Sequence, residues 1–344
     1  MSGSEPGAED LLARAARAGV HTIALPTPFL VGPVNCYVVE DEPLTLIDTG
    51  PNSGRSLDEL EQALARLGRS IEDLERIVVT HQHMDHVGLL EILARRSGAE
   101  VAALHLLGPY LERFPRSAEA DDAFAETIMR RHGVPEDMIT VLSSVGAAFR
   151  GFGSSARVTR ELRDGDELRF AHRTLHVLHR PGHSPSDTVF WDEQRELLIG
   201  GDHLLAGVSS NPLVSRPLDA AAPPPDGRTH ALIQYMESLR ATRELPARLV
   251  LGGHGEPIAD HAALIDERLR MHARRARKIL RMLDRGPRTA YELAYEMWGN
   301  VAVTQAFLTL SEVLGHLDVL VAAGEVQEEP ETAEPVRFRA LRPS

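Results

Sequence analysis

Short apolar runs alternate with amphipathic helical patterns through the first three-quarters of the chain, which predicts a layered α/β domain. Residues 44–47, 77–79, 175–178, 197–199 and 249–251 are the clearest strand-like runs. Between them, Ser56-Leu57-Asp58-Glu59 reads as a capping box. It opens a helix that carries Leu57, Leu60, Leu64 and Leu67 on one face and stops at Gly68. A second helix is predicted over 87–96. From about 105 to 159 the pattern turns wholly helical, with Phe124, Ile128, Met129, Met138, Val141, Leu142, Val145 and Phe149 as its apolar positions and a break at Gly133-Val134-Pro135. This predicts a helical insertion over about 106–158, which either covers a cleft or packs on the core.

Pro223-Pro224-Pro225-Asp226-Gly227 marks a loop before a helix expected to be capped near Thr229. The stripe Ile265, Leu269, His272, Ala276, Ile279, Leu283 then defines one long helix, with His272 on its apolar side and so expected in the core. A turn at Gly286-Pro287, helical stretches over 290–297 and 305–323, and alternation over 336–340 complete a winged-helix-like pattern of three helices and a hairpin. The expected organisation is an N-terminal tail (1–20), an α/β domain (21–261) and a winged-helix-like segment (262–344). No internal repeat is evident.

Composition narrows the possibilities. The 344 residues are 43 % hydrophobic and carry a net charge of −13, which argues against a polyanion as the default partner. Lys278 is the single lysine, so a phosphate-binding Gly-Lys-Ser/Thr loop is excluded. Cys36 is the single cysteine, which excludes an intrachain disulfide and a Cys-rich zinc module and suits a reducing compartment. The stretch 1–19 lacks the apolar core of a secretory signal, and the uncharged run 18–39 is interrupted by Pro26, Pro28 and Pro33. A cytoplasmic protein without a membrane partner is expected.

The chemistry is concentrated at the ends of the five strand-like runs. They lead into Asp48, into His81-Gln82-His83-Met84-Asp85-His86, into Pro181-Gly182-His183, into Gly200-Gly201-Asp202 and into Gly252-Gly253-His254. Strands of an α/β sheet gather ligand sites at their C-terminal ends, and glycines there allow close backbone approach. The His-x-His-x-Asp-His run is the most specific signal, with four ligand-capable side chains in six residues. With it the chain resembles the metallo-β-lactamase superfamily from about residue 23 to 259, motif by motif and in order. The resemblance implies a four-layer αβ/βα sandwich. It implies one metal on His81, His83 and His183, a second on Asp85, His86 and His254, Asp202 bridging the two, and Asp48 orienting a ligand histidine. Imidazole and carboxylate donors without a thiolate suit two zinc ions, and also iron or manganese. The implied reaction is hydrolysis by a hydroxide shared between the metals, with Asp85 and Asp202 as the catalytic carboxylates.

The metal motif does not select a substrate, because one fold serves many reactions. The insertion carries five Arg and seven acidic residues and an apolar face, which suits an acyl group better than RNA. An ester, thioester or lactone of a small molecule is therefore the expected substrate, as in the branch that includes β-lactamase-like proteins and hydroxyacylglutathione hydrolases. Tyr110 and Tyr235 are candidates for a lactonase-type tyrosine, and Asn211 and Arg216 for polar contacts beside Asp202. The order of a metallo-β-lactamase domain and a winged-helix-like tail also resembles the family of the mitochondrial β-lactamase-like endoribonuclease. The basic helix with Arg274, Arg275, Arg277, Lys278 and Arg281 supports that alternative. Against it, the stretch 305–323 has no Arg or Lys and contains Glu312 and Asp318, a poor recognition helix. The segment is therefore expected to pack or to form a homodimer. A non-catalytic metal-binding interaction module is the third reading.

Overall fold

The computed structural model describes residues 7–219, 227–329 and 335–341. Two sheets face each other. The first is ordered β1 (Val20–Leu25), β2 (Val34–Val39), β3 (Thr45–Ile47), β4 (Arg76–Val78), β5 (Glu100–Leu104), β6 (Arg160–Leu162), antiparallel through β3 and parallel from there on. The second comprises β7 (Glu167–Arg169), β8 (Thr174–His179), β9 (Thr188–Asp192), β10 (Leu197–Gly201) and β11 (Leu249–Gly252), antiparallel except for the parallel pair β10–β11. A last ribbon joins β12 (Val326–Glu328) to β13 (Phe338–Ala340). The helices are α1 (Ala8–Arg17), α2 (Gly54–Arg66), α3 (Met84–Val87), α4 (Leu90–Ser97), α5 (Gly108–Glu112), α6 (Phe114–Arg131), α7 (Glu136–Phe149), α8 (Ala231–Arg243), α9 (His261–Leu283), α10 (Ala290–Trp298), α11 (Val301–Thr304) and α12 (Ala306–Ala322).

The apolar runs are continuous because both faces of each strand are buried, and alternate residues enter different cores. In β3 and β4, Leu46 and Ile77 pack with Leu60, Leu64 and Leu90 of α2 and α4, whereas Ile47 and Val78 face the other sheet. In β10 and β11, Leu197, Ile199, Leu249 and Leu251 meet them there, while Leu198 and Val250 point to α8 and Ile265 of α9. The layers are thus helix, sheet, sheet, helix. Among the described residues no helix is long and apolar enough to cross a membrane.

Several boundaries differ from the sequence reading. Residues 8–17, read as tail, form a helix that buries Leu11 and Ala15 against β1; its polar majority hid a narrow apolar stripe. The cap of α2 is Ser53, which accepts a hydrogen bond from the Ser56 amide, so Ser56 lies inside the first turn and instead donates to the Pro26 carbonyl. The helix predicted over 87–96 is split into α3 and α4 at Gly88, where a Cβ would lie 2.1 Å from the Asn52 amide nitrogen. Thr229 does not cap α8; its hydroxyl donates to the Ser215 carbonyl, and α8 begins two residues later. The proline loop at 223–226 lies outside the described residues.

The insertion and the C-terminal segment share one core. Ile128 and Met129 of α6 and Ile139 of α7 pack with Leu283, Leu310, Leu314 and Phe338. Val336 donates its amide to the Arg131 carbonyl, and Arg131 pairs with Glu328 at 3.1 Å. The acidic residues of α12 serve internal ion pairs: Asp318 holds the Arg228 guanidinium through both oxygens, and Glu312 pairs with Arg275.

Candidate metal centre

The residues that follow β3, β4, β8, β10 and β11 meet at one end of the two sheets. Asp48 stands immediately after β3 with a φ of +59°, a conformation rare for a residue with a Cβ. Its Oδ1 accepts from the Thr80 amide and its Oδ2 from the Thr80 hydroxyl, both at 2.8 Å, and His86 Nδ1 donates to Oδ2 at 2.7 Å. Because the Thr80 hydroxyl gives its proton to Asp48, it receives one from His81 Nδ1 at 3.0 Å. One buried carboxylate therefore fixes two imidazoles, leaving Nε2 of each as the free donor atom.

The other histidines are held in the same manner by carbonyls. His183 Nδ1 donates to the Asn211 carbonyl at 3.1 Å and His254 Nδ1 to the Pro33 carbonyl at 2.8 Å. The loop that carries His183 is pinned by Asp187, which takes the Ser184 amide and hydroxyl at 3.0 and 2.7 Å. Their free nitrogens converge. His83 Nδ1 lies 3.0 Å from His81 Nε2 and 2.9 Å from His183 Nε2. His254 Nε2 lies 3.3 Å from Asp85 and 3.5 Å from Asp202, and His86 Nε2 lies 3.4 Å from Asp202. His183 Nε2 is 3.6 Å from Asp202 on the other side. Asp202 is thus the side chain that reaches both groups. At this centre, three sets have donor atoms mutually within 4.8 Å: His81, His83 and His183; His81, His86 and Asp202; and Asp85, His86 and His254.

These residues fit divalent cations on three counts. His86 Nε2, Asp202 Oδ1 and His254 Nε2 are buried polar atoms without a hydrogen-bond partner, as donors aimed at an ion would be. A Cβ on Gly253 would lie 2.1 Å from Asp202 Oδ1 and 2.8 Å from His86 Cε1, so glycine there keeps the donors clear. The electrostatics also demand positive charge. Burial opposes ionisation of His86 and His254, yet Asp202 with Asp48 and Asp85 raises the first well above the usual imidazole range, and Asp202 and Asp85 raise the second to about 9. Conversely, burial and then His183 push His83 down to about 3.

All eight residues singled out in the sequence are brought together here. The other candidates are placed elsewhere: Tyr110 donates to Asp121 at 2.9 Å, Tyr235 to the His203 carbonyl at 2.9 Å, and Arg216 pairs with Asp121 at 3.0 Å. Asn211 contributes its backbone carbonyl to His183 and its side-chain amide to the Leu308 carbonyl. Thr80 was missed, although its place directly before His81 at a strand end was a usable signal. The carbonyls of Pro33 and Asn211 have none, because any residue supplies one.

An aromatic cluster joins the loop before β2 to the insertion. Phe29, on the loop that leads to Pro33, packs against Phe149 and Phe152 of the insertion with ring centroids at 5.4 and 6.2 Å. The Phe152 carbonyl accepts from the Asn52 amide, beside Gly88, where the chain leaves α3. Leu30 and Val31 next to it are exposed, as are Val141 and Val145 of α7.

The residues 30–254 match the metallo-β-lactamase superfamily, and the chain belongs to that superfamily of hydrolases. It is 35 % identical over 303 residues to the "Probable metallo-hydrolase YqjP" of Bacillus subtilis, an alignment that covers 88 % of this chain and 92 % of that one. Two solved structures share 27 % identity with it. A β-lactamase domain protein of Burkholderia ambifaria superposes with a TM-score of 0.78, covering 94 % of this chain and 92 % of that one. A metallo-β-lactamase family protein of Thermus thermophilus superposes with 0.76, covering 94 % and 99 %.

Proposed function

We propose that this hydrolase is binuclear and cleaves an ester, thioester or lactone bond of a small acyl substrate, with His81, His83 and His183 holding one ion, Asp85, His86 and His254 the other, and Asp202 shared. The observation that carries this reading is the convergence of seven imidazole and carboxylate side chains on one end of the sheets, most of the imidazoles fixed from behind. Nitrogen and oxygen donors suit zinc, and also iron or manganese. Two such ions, when bound, supply water acidified toward neutral pH and a Lewis acid for the substrate oxygen.

The chain's own residues do the rest. Asp85 and Asp202 orient the attacking water by hydrogen bonds, accept its proton and return it to the leaving group as the acyl bond breaks. Asp48 and Thr80 keep His86 and His81 in the ligand tautomer. Phe29, Phe149 and Phe152 give the acyl portion an apolar wall, and the insertion acts as a lid on that side. The C-terminal segment, read as winged-helix-like, packs on the insertion rather than reading bases. The reading places the enzyme in the cytoplasm.

One observation favours a second reading, a single-strand endoribonuclease. Arg274, Arg277, Lys278 and Arg281 of α9 are exposed on one side without a carboxylate partner among the described residues. Metal-loaded protein should be assayed on acyl-thioesters, esters and lactones beside a single-stranded RNA oligonucleotide, with Asp85→Ala as the control. Acyl turnover that the variant loses supports the proposal. RNA cleavage that it loses, without acyl turnover, replaces it with the second reading.

A further inference from the structure

Away from the catalytic centre, the helical layer contains a second convergence of ligand-type side chains. His272 projects from α9, and Glu312 and His316, one turn apart on α12, face it. Each of the three offers a donor atom within 4.8 Å of the other two. His272 and His316 are 1 % exposed, and the Glu312 side chain is 11 % exposed.

Three details separate this group from an ordinary polar contact in a core. First, His272 Nδ1 lies 3.3 Å from His316 Nε2. Two nitrogens bound tetrahedrally to zinc at about 2.0–2.1 Å stand about 3.3–3.4 Å apart. Second, His316 Nδ1 donates to the Glu312 carbonyl at 2.6 Å, so its Nε2 bears a lone pair aimed at His272. Third, nothing among the described residues fixes the His272 tautomer: its Nε2 is buried without a partner, and its Nδ1 faces His316. With the proton on Nδ1, His272 makes an ordinary hydrogen bond to His316. With the proton on Nε2, two lone pairs face each other across 3.3 Å, and a cation between the rings converts them into two bonds.

We propose that His272, Glu312 and His316 form a further site for a divalent transition-metal ion of the zinc type, separate from the catalytic pair, that clamps α9 to α12. Its position gives it a structural consequence. Tyr235 stands edge to face with His272, with ring centroids at 6.1 Å, and donates to the carbonyl of His203, the residue after Asp202. An ion here braces the helices behind that loop. Arg275, which stacks over Trp298 at 5.7 Å, already pairs with Glu312 Oε1, the oxygen that lies 3.7 Å from His316 Nδ1, so an ion has to draw that carboxylate away from it. Arg275 is thus a built-in competitor, and the site binds more weakly than the catalytic one.

The experiment is a calorimetric titration of the metal-stripped full-length protein with Zn2+, with metal content read independently by elemental analysis. The expected result is two tight equivalents and a third, weaker one. His316→Gln and His272→Gln should lose the third while keeping the tight pair, which also shows that the variants are folded. Arg275→Gln should tighten the third at least about fivefold, a gain that a purely structural ion pair cannot produce. A native protein without a third equivalent, a third equivalent retained in both histidine variants, or a loss of affinity in folded Arg275→Gln would each overturn the proposal.

Discussion

Two clusters of buried histidines in this chain are built on different principles. Around Asp202, the seven donors come from the segments that follow four strands, β4, β8, β10 and β11, and hydrogen bonds to Asp48, Thr80 and two carbonyls hold four of the five imidazoles. At His272 two helices supply everything, and only His316 has such a support. Strand ends are fixed by the sheet, with ladders on both sides of β4, β8 and β10 and on one side of β11, so they can hold several donors rigidly around a reacting group. A helix pair holds fewer donors, and its task here is to tie α9 to α12. The lesson is that burial and histidine content do not distinguish a reaction centre from a brace; the hydrogen bonds behind the ligands do.

The comparison breaks most visibly under substitution of its shared ligand. Asp202→Ala should reduce turnover by about 10³-fold or more, beyond the loss typical of a single transition-state contact, whereas His272→Ala should leave turnover of the folded protein within a few fold. Equal losses in steady-state assays would show that Asp202 does not join the two ligand groups. The next effect concerns the clamp side. Asp318→Ala removes the bidentate partner of the buried Arg228 and should destabilise the fold by about 1.5–3 kcal/mol in urea unfolding. Because burial of Asp318 is outweighed by Arg228 and His230, its carboxyl titrates below the usual range. The stability it gives is present above about pH 4 and is lost as pH falls through its lowered folded value.

Asp48→Asn sharpens the comparison from the catalytic side. It keeps the shape but loses the charge that receives protons from His86 and Thr80, and metal affinity in competition with a chelator should fall by about 10–100-fold. The smallest effect is acid sensitivity at His132, which stacks on Phe338 at 5.9 Å in the shared core of the insertion and C-terminal segment. Burial, followed by Arg228 and Arg131, pushes it down to about 3 against an opposing pull from Asp318. The unfolded chain takes up a proton below about pH 6.5 that the folded one refuses, so stability falls as pH drops from there. His132→Phe should remove about 2 kcal/mol of the loss between about pH 6.5 and 5 in paired urea melts, at about 1.4 kcal/mol per unit.

The centre was legible in the sequence because strand ends impose order: an apolar run, glycines and a donor recur, and each run alternates between two cores. What was not legible depends on backbone or on distant partners. The carbonyls that orient His183 and His254 come from Asn211 and Pro33, whose side chains carry no such signal. Ser53 outcompeted Ser56 as a cap because Ser56 is drawn to Pro26 across the fold. The insertion showed its helical period but not that Phe124, Ile128, Met129, Met138 and Leu142 face the C-terminal helices, since periodicity reports a face and not its partner. Residues 8–17 were misread because Leu11 and Ala15 alone are buried in a charged helix.

The central claim is that seven side chains around Asp202 hold two catalytic metal ions. Elemental analysis of purified full-length protein, loaded with zinc and dialysed against metal-free buffer, tests it most directly. The account predicts close to two tightly held ions per chain, reduced in both His83→Ala and Asp85→Ala. A stoichiometry near zero in the native protein, or one that neither substitution changes, would contradict it.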